Sequence, residues 1–262
     1  MNKFSYAAAA LAAVSLMLTT SSATADDDTA RFIWSTGIEY STGTYGGVDD
    51  IEDLYIPLQG RIDFERVSFD LTLPYLSVRA PAGTTVTDAN GEPIPGSGEV
   101  ITESGLGDVI AGVTLYDLVY SRDLGIAIDL TGKIKFGTAD AARGLGTGEQ
   151  DYTVRTDLYK FFDQFTLLGS AGFKFRGDPA DLDLENVWLG SVGGVYLPNE
   201  ITSIGLIYDY RESAFAGGDA IAELSGFISR QIADKWSIQF YAFTGIGDSG
   251  ADRGLGISLS TG

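Results

Sequence analysis

The sequence predicts an all-β fold: a transmembrane antiparallel up-and-down β-barrel of about 12 strands. Three observations carry that prediction, namely a period-two pattern that recurs down the chain, an export leader, and connections that alternate short and long. The pattern is clearest in Leu124–Phe136. There Leu124, Ile126, Ile128, Leu130, Gly132, Ile134 and Phe136 alternate with Gly125, Ala127, Asp129, Thr131, Lys133 and Lys135. Successive side chains of a strand point to opposite faces, so this segment has one apolar and one wet face.

Residues 1–25 stand apart from the fold. Lys3 supplies a positive start, Ala7–Leu18 a short apolar run, and Ala23-Thr24-Ala25 a signal-peptidase site. The expected organisation is a secretory signal peptide over 1–25 and one outer-membrane β-barrel over 26–262. After the leader no apolar run reaches about twenty residues, so any crossing of a bilayer is made by strands.

The strands follow in order. Phe32–Ser41 places Phe32, Trp34, Thr36, Ile38 and Tyr40 on one face and Ser35, Gly37 and Glu39 on the other. Asp53–Ile62 turns Leu54, Ile56, Leu58 and Ile62 outward, with Tyr55, Gln59 and Arg61 inward. Val67–Leu76 alternates Val67, Phe69, Leu71, Leu73 and Tyr75 with Ser68, Asp70, Thr72 and Pro74. Ser77–Ser104, rich in Pro, Gly and Thr, reads as the longest irregular stretch. Further strands are expected at Gly105–Tyr116, Leu124–Phe136, Asp151–Tyr159, Phe165–Phe175, Asn186–Tyr196, Thr202–Tyr210, Ala220–Ser229, Trp236–Thr244 and Gly254–Thr261. Asn186–Tyr196 is apolar on both faces, which leaves its inward side open.

Short turns at 63–66, 117–123, 160–164, 197–201 and 230–235 alternate with longer connections at 42–50, 77–104, 137–150, 176–185, 211–219 and 245–253. That is the habit of barrels with short periplasmic turns and longer external loops. Outward aromatics near strand ends (Trp34 and Trp236 low; Tyr40, Tyr75, Phe136 and Tyr210 high) fit interfacial girdles. A soluble two-sheet protein also alternates, but strands of about 10–12 residues and the alternation of loop lengths favour the barrel.

Composition narrows the function. A net charge of −19 argues against nucleic acid as a partner. Cysteine is absent, so there is no disulfide or thiolate metal site, and histidine is absent too. Outer-membrane lipases, proteases and acyl-transfer enzymes depend on a histidine as general base, so no enzyme and no cofactor are expected. The acidic loops 49–53 and 178–185 lack EF-hand spacing and read as solvated loops, bridged to lipopolysaccharide by divalent ions. Gly105–Asp108 and Gly245–Asp248 share a GxGD pattern, but neither precedes a helix, so both read as strand-opening turns rather than phosphate cradles.

Several segments together have a family look. Gly105-Leu106-Gly107-Asp108 opens a strand, Asp129–Thr138 closes the next, and Leu145-Gly146-Thr147-Gly148 with Asp151 opens the one after. Leu73-Pro74-Tyr75 ends an earlier strand. This order resembles the outer-membrane β-barrel family labelled transporters of the MetA pathway of phenol degradation, with its GLGD strand start, K-x-PTG strand end and LGTG-x-x-D return. The similarity spans most of the chain after the leader, strongest over 105–157, with a tail at Thr244–Ser258. Phe136-Gly137 stands where the family usually has Pro-Thr, and the sequence ends Ser260-Thr261-Gly262 where the family has an aromatic residue. The resemblance implies uptake or efflux of hydrophobic or aromatic compounds and brings no catalytic residues with it.

Strand parity points Arg61, Asp70, Asp129, Lys133, Lys135, Arg155, Asp157, Lys174 and Arg176 into the lumen, with Glu39, Asp209 and Glu223. Two readings stay open: a basic stripe that selects anionic solutes, or an internal salt-bridge network that neutralises charges filling a narrow barrel. The expectation is a monomeric, porin-like channel or transporter in the outer membrane of a Gram-negative bacterium. It would pass small, hydrophobic or aromatic solutes passively, with lipid, lipopolysaccharide and the barrel-assembly machinery as partners. The alternative is a non-conducting structural or surface-binding barrel that works through its external loops.

Overall fold

The computed structural model describes residues 30–87, 93–180 and 182–262; the expected signal peptide lies outside the described residues. The strands are β1 (Arg31–Gly43), β2 (Ile51–Asp63), β3 (Val67–Pro81), β4 (Thr85–Val86), β5 (Pro93–Ile94), β6 (Val100–Leu106), β7 (Ile110–Ser121) and β8 (Ile126–Lys135). They continue with β9 (Asp151–Phe161), β10 (Phe165–Phe175), β11 (Val187–Asn199), β12 (Thr202–Arg211), β13 (Ile221–Ala233), β14 (Trp236–Gly245) and β15 (Arg253–Thr261). Each wall strand pairs antiparallel with its chain neighbour, and β1 pairs with β15, which closes the barrel.

The barrel has twelve staves, because β6 and β7 together make one. Both pair with β3, β7 from Val67↔Leu115 to Thr72↔Ile110 and β6 from Tyr75↔Leu106 to Pro81↔Val100. Gly107, Asp108 and Val109 interrupt the stave between them. On its other side β7 pairs with β8 only as far as Ile110↔Lys135. Above that level the segment after β8, not a strand, lies against β6.

The expected irregular stretch Ser77–Ser104 is corrected at both ends, since β3 runs to Pro81, β6 begins at Val100, and the β4–β5 hairpin lies between. The reason is an inversion of polarity. In this part of β3 the outward positions are Ser77 and Arg79, while Leu76, Val78 and Ala80 are buried inside against the loops. An apolar-out template therefore misses it. The expected turn 117–123 also shortens, as β7 reaches Ser121 across a bulge between Leu115 and Val119 where Asp117 has φ 53°. A bulge resets the alternation and so erases the period-two signal. Leu124 and Gly125 belong to the turn before β8, with Gly125 at φ 60°.

Outward residues form an apolar wall with aromatic belts near both rims. Phe32, Trp34, Phe165, Tyr196 and Trp236 lie toward the short-turn end, and Tyr40, Tyr75, Tyr152, Trp188 and Tyr210 toward the long-loop end, all exposed. Such a surface matches hydrocarbon flanked by two interfaces. In β11, Trp188 and Val192 face out while Val187, Leu189 and Val195 face in, which settles its orientation. That strand is apolar on both faces because Val195 packs inside against Leu168, Ile207 and Phe227.

Candidate functional site: the barrel interior

Inward residues divide into a buried ionic knot, a mid-level belt of charge and two apolar clusters. The knot sits at the long-loop end of β8. Lys135 Nζ donates to Asp108 Oδ2 at 2.7 Å, Thr147 Oγ1 at 3.3 Å and the Glu149 carbonyl at 3.2 Å, and lies 3.6 Å from Asp151 Oδ2. Lys174 Nζ reaches the same Asp151 oxygen at 3.3 Å. Asp108 Oδ1 accepts from the Ala139 N–H, Thr138 Oγ1 accepts from the Val109 N–H, and Asp151 Oδ1 accepts from the Gly177 N–H. Lys135 is 4 % exposed and Asp108 and Asp151 3 % each, so these ion pairs are shielded from solvent.

The knot absorbs the segments on which the family resemblance rests. Asp108, Lys135, Thr138, Thr147 and Asp151 meet there, and Leu145 is buried beside it in the apolar cluster of the external half. Gly146 is needed for the close approach: a Cβ there would lie 2.9 Å from Asp108 Oδ2 and 2.7 Å from the Ala139 Cβ. Their shared work is to fold residues 137–150 over the broken stave.

Lower in the barrel, Arg155 Nε pairs with Asp157 Oδ1 at 3.0 Å. The Asp117 N–H donates to Asp129 Oδ1 at 2.9 Å. Arg61 grips Asp63 through Nε at 2.5 Å and Nη2 at 3.0 Å, and its guanidinium stands 5.9 Å from the Tyr116 ring centre. Asp70 lies over Gly112, the residue opposite it on β7, where a Cβ would sit 2.9 Å from the carboxyl carbon. Lys133 is half-buried and makes no ion pair within 4 Å among the described residues. Arg176, just past β10, is half-buried and its backbone N–H donates to Asn186 Oδ1. Of the basic residues expected on β8–β10, Lys135, Lys174 and Arg155 are thus held by carboxylates. Asp53, Asp209 and Glu223 face the interior from β2, β12 and β13 with no ion pair within 4 Å among the described residues.

Strand parity reaches the apolar interior, but attention to charge passes over it. Tyr45, Ile51, Tyr55, Leu76, Val78, Val86, Leu145 and Phe243 form a buried cluster in the external half, built from wall and inward-folded loops. Ala127, Tyr159, Leu168, Val195, Ile207 and Phe227 form a second cluster toward the short-turn end. Tyr241 packs against both, and its hydroxyl donates to Glu39 Oε2 at 2.7 Å. Three rings lie flat on glycines of a neighbouring strand: Phe227 over Gly205, Tyr241 over Gly256 and Phe243 over Gly254. Glycine cross-strand from an inward aromatic is the sequence signal that marks them. Among the described residues no group of three or more carboxylates is arranged to hold a metal ion.

No model of a known family matches the sequence, and no curated protein matches it. By structure the chain is similar to an outer-membrane channel from Pseudomonas putida F1, with a TM-score of 0.70 at 12 % identity over 90 % of this chain and 96 % of that one. The NanC porin is similar at TM-score 0.55, with 8 % identity over 87 % and 99 % of the two chains. The KdgM porin follows at 0.54, with 8 % identity over 88 % and 98 %. The likeness is one of fold: a closed transmembrane β-barrel shared with outer-membrane channels and porins.

Proposed function

We propose that the chain is an outer-membrane channel of a Gram-negative bacterium that passes small, mainly apolar or aromatic solutes passively. The observation that carries this reading is the apolar interior, two clusters that meet at Tyr241 and run from the external loops toward the short-turn end. A barrel interior is ordinarily polar, and one that served only as filler could use salt bridges alone. The fold shared with outer-membrane channels and porins supports the location and the channel class. In this reading the knot around Lys135 holds the external loops in place. Lys133, Arg155, Asp157, Asp129, Asp70 and Arg61 tune passage below it, and Lys174 and Arg176 edge the outer mouth.

A second reading, a non-conducting barrel that acts through its loops, is favoured by the tight interior. Leu76 is 0 %, Glu39 5 % and Tyr55 6 % exposed, far drier than the wall of a wide aqueous pore. Flux separates the two. Lipopolysaccharide-containing proteoliposomes of the refolded chain should equilibrate toluene faster than protein-free vesicles do, and Tyr241→Ala or Phe227→Ala should change that rate. A folded barrel with no effect on flux would leave the loop-binding reading in its place.

A further inference from the structure

One side chain in the lumen wall is buried with its hydrogen bonds unmade. Gln239 of β14 is 2 % exposed, and neither its Nε2 nor its Oε1 has a hydrogen-bond partner among the described residues. Ser258, its partner across the β14–β15 register, likewise has a buried hydroxyl without one. Buried polar groups are normally satisfied, and each exception in a native fold asks for an explanation. Ser229 stands on the other side of Gln239, and Ser35, Ser203 and Ser260 are buried inward residues of the same part of the wall. These six positions carry five hydroxyls and one amide. Directly above it in the register Phe227 pairs with Tyr241, and the Tyr241 hydroxyl is already committed to Glu39.

We infer that Gln239 and Ser258 form a hydrogen-bonding subsite in the lumen for the polar end of an uncharged, hydroxyl-bearing apolar solute, whose body lies against Phe227 and Tyr241. The proposal rests on the channel reading for the solute's access and names the solute class that reading leaves open. The amide offers donors and an acceptor at one point, which a hydroxyl group satisfies both ways. A carboxylate only accepts and an ammonium only donates, so either leaves part of the amide unpaired. A hydrocarbon leaves all of it unpaired, and a site built to bond a hydroxyl discriminates against the analogue without one.

The test uses the full chain refolded into lipid nanodiscs, with cyclohexanol and methylcyclohexane as probes and binding read by saturation-transfer NMR titration. Wild-type protein should prefer cyclohexanol. Gln239→Leu and Ser258→Ala should each weaken cyclohexanol binding by roughly ten-fold, the scale of one hydrogen bond, and leave methylcyclohexane unchanged. Folding is checked by resistance to unfolding in unheated detergent; should Gln239→Leu fail it, Ser258→Ala carries the test. Equal binding of cyclohexanol to wild type and variants, or no preference over methylcyclohexane, overturns the subsite. Flux of the same proteins, refolded into the lipopolysaccharide-containing proteoliposomes, tells the two claims apart. A barrel that binds through Gln239 but passes no solute removes the channel reading alone. One that passes toluene while cyclohexanol binds the variants as it binds wild type removes the subsite alone.

Discussion

Lys135 is the residue on which most of the external half depends. Its ammonium is buried between Asp108 and Asp151 and tied by Thr147 and the Glu149 carbonyl to the loop after β8. Removing one partner of a buried pair strands the other charge, at a cost of about 3–5 kcal/mol. Lys135→Met should therefore lower the unfolding free energy of the refolded barrel, read from denaturant titration, by that amount and expose residues 137–150 to protease. Asp108→Leu combined with Lys135→Met should recover part of the loss, because no carboxylate is then stranded at that position. If the double variant is as unstable as the single one, the stranded charge is not what Lys135→Met costs. The inward parity of Lys135 was legible from the alternation of Leu124–Phe136. Of its partners, Asp151 lies on the inward parity of β9, but Asp108 sits in a break of the wall and Thr147 in a loop, where no periodicity reaches.

At the scale of the strand, alternation holds where one face meets lipid and fails where that contrast disappears. β1, β8 and the lower part of β3 could be read residue by residue because lipid and lumen demand opposite chemistry. It failed at the top of β3, where the outer face is wet and the inner face packs on loops, and in β11, apolar on both sides. The same contrast predicts a depth profile. Arg230 points outward from β13 near the short-turn rim and is exposed, where an interfacial cation is cheap. Ile228 lies two residues higher on the same face. Ile228→Arg, between the two aromatic belts, should destabilise the folded barrel by about 2–4 kcal/mol, and Leu224→Arg, two residues from the level of Tyr210 in the long-loop belt, by about 1–2 kcal/mol. Arg230→Ala should stay within about 0.5 kcal/mol. Equal costs at all three positions, read from urea titrations in one lipid, would argue against a membrane-embedded outer face.

For the whole molecule the open matter is the sign of charge that an ion meets inside. The residues read from sequence as a basic stripe are largely spent, Lys135 and Lys174 on Asp151 and Asp108 and Arg155 on Asp157, and elsewhere in the lumen Arg61 is spent on Asp63. Across the lumen Asp53, Asp209 and Glu223 make no ion pair within 4 Å among the described residues, and Glu39 is held only by a tyrosine hydroxyl. A cation in transit therefore meets carboxylates that make no close ion pair among the described residues, and an anion meets Lys133. In a narrow, poorly hydrated passage such fixed charges act on a passing ion with little screening. Planar-bilayer reversal potentials under a salt gradient should show cation preference at about pH 9, where carboxyl groups are ionised. Asp209→Asn with Glu223→Gln should reduce that preference, and Lys133→Glu should increase it. Anion preference in the wild type, abolished by Lys133→Glu, would instead mean that Lys133 alone governs the passage and that the carboxylates are neutral or out of its path.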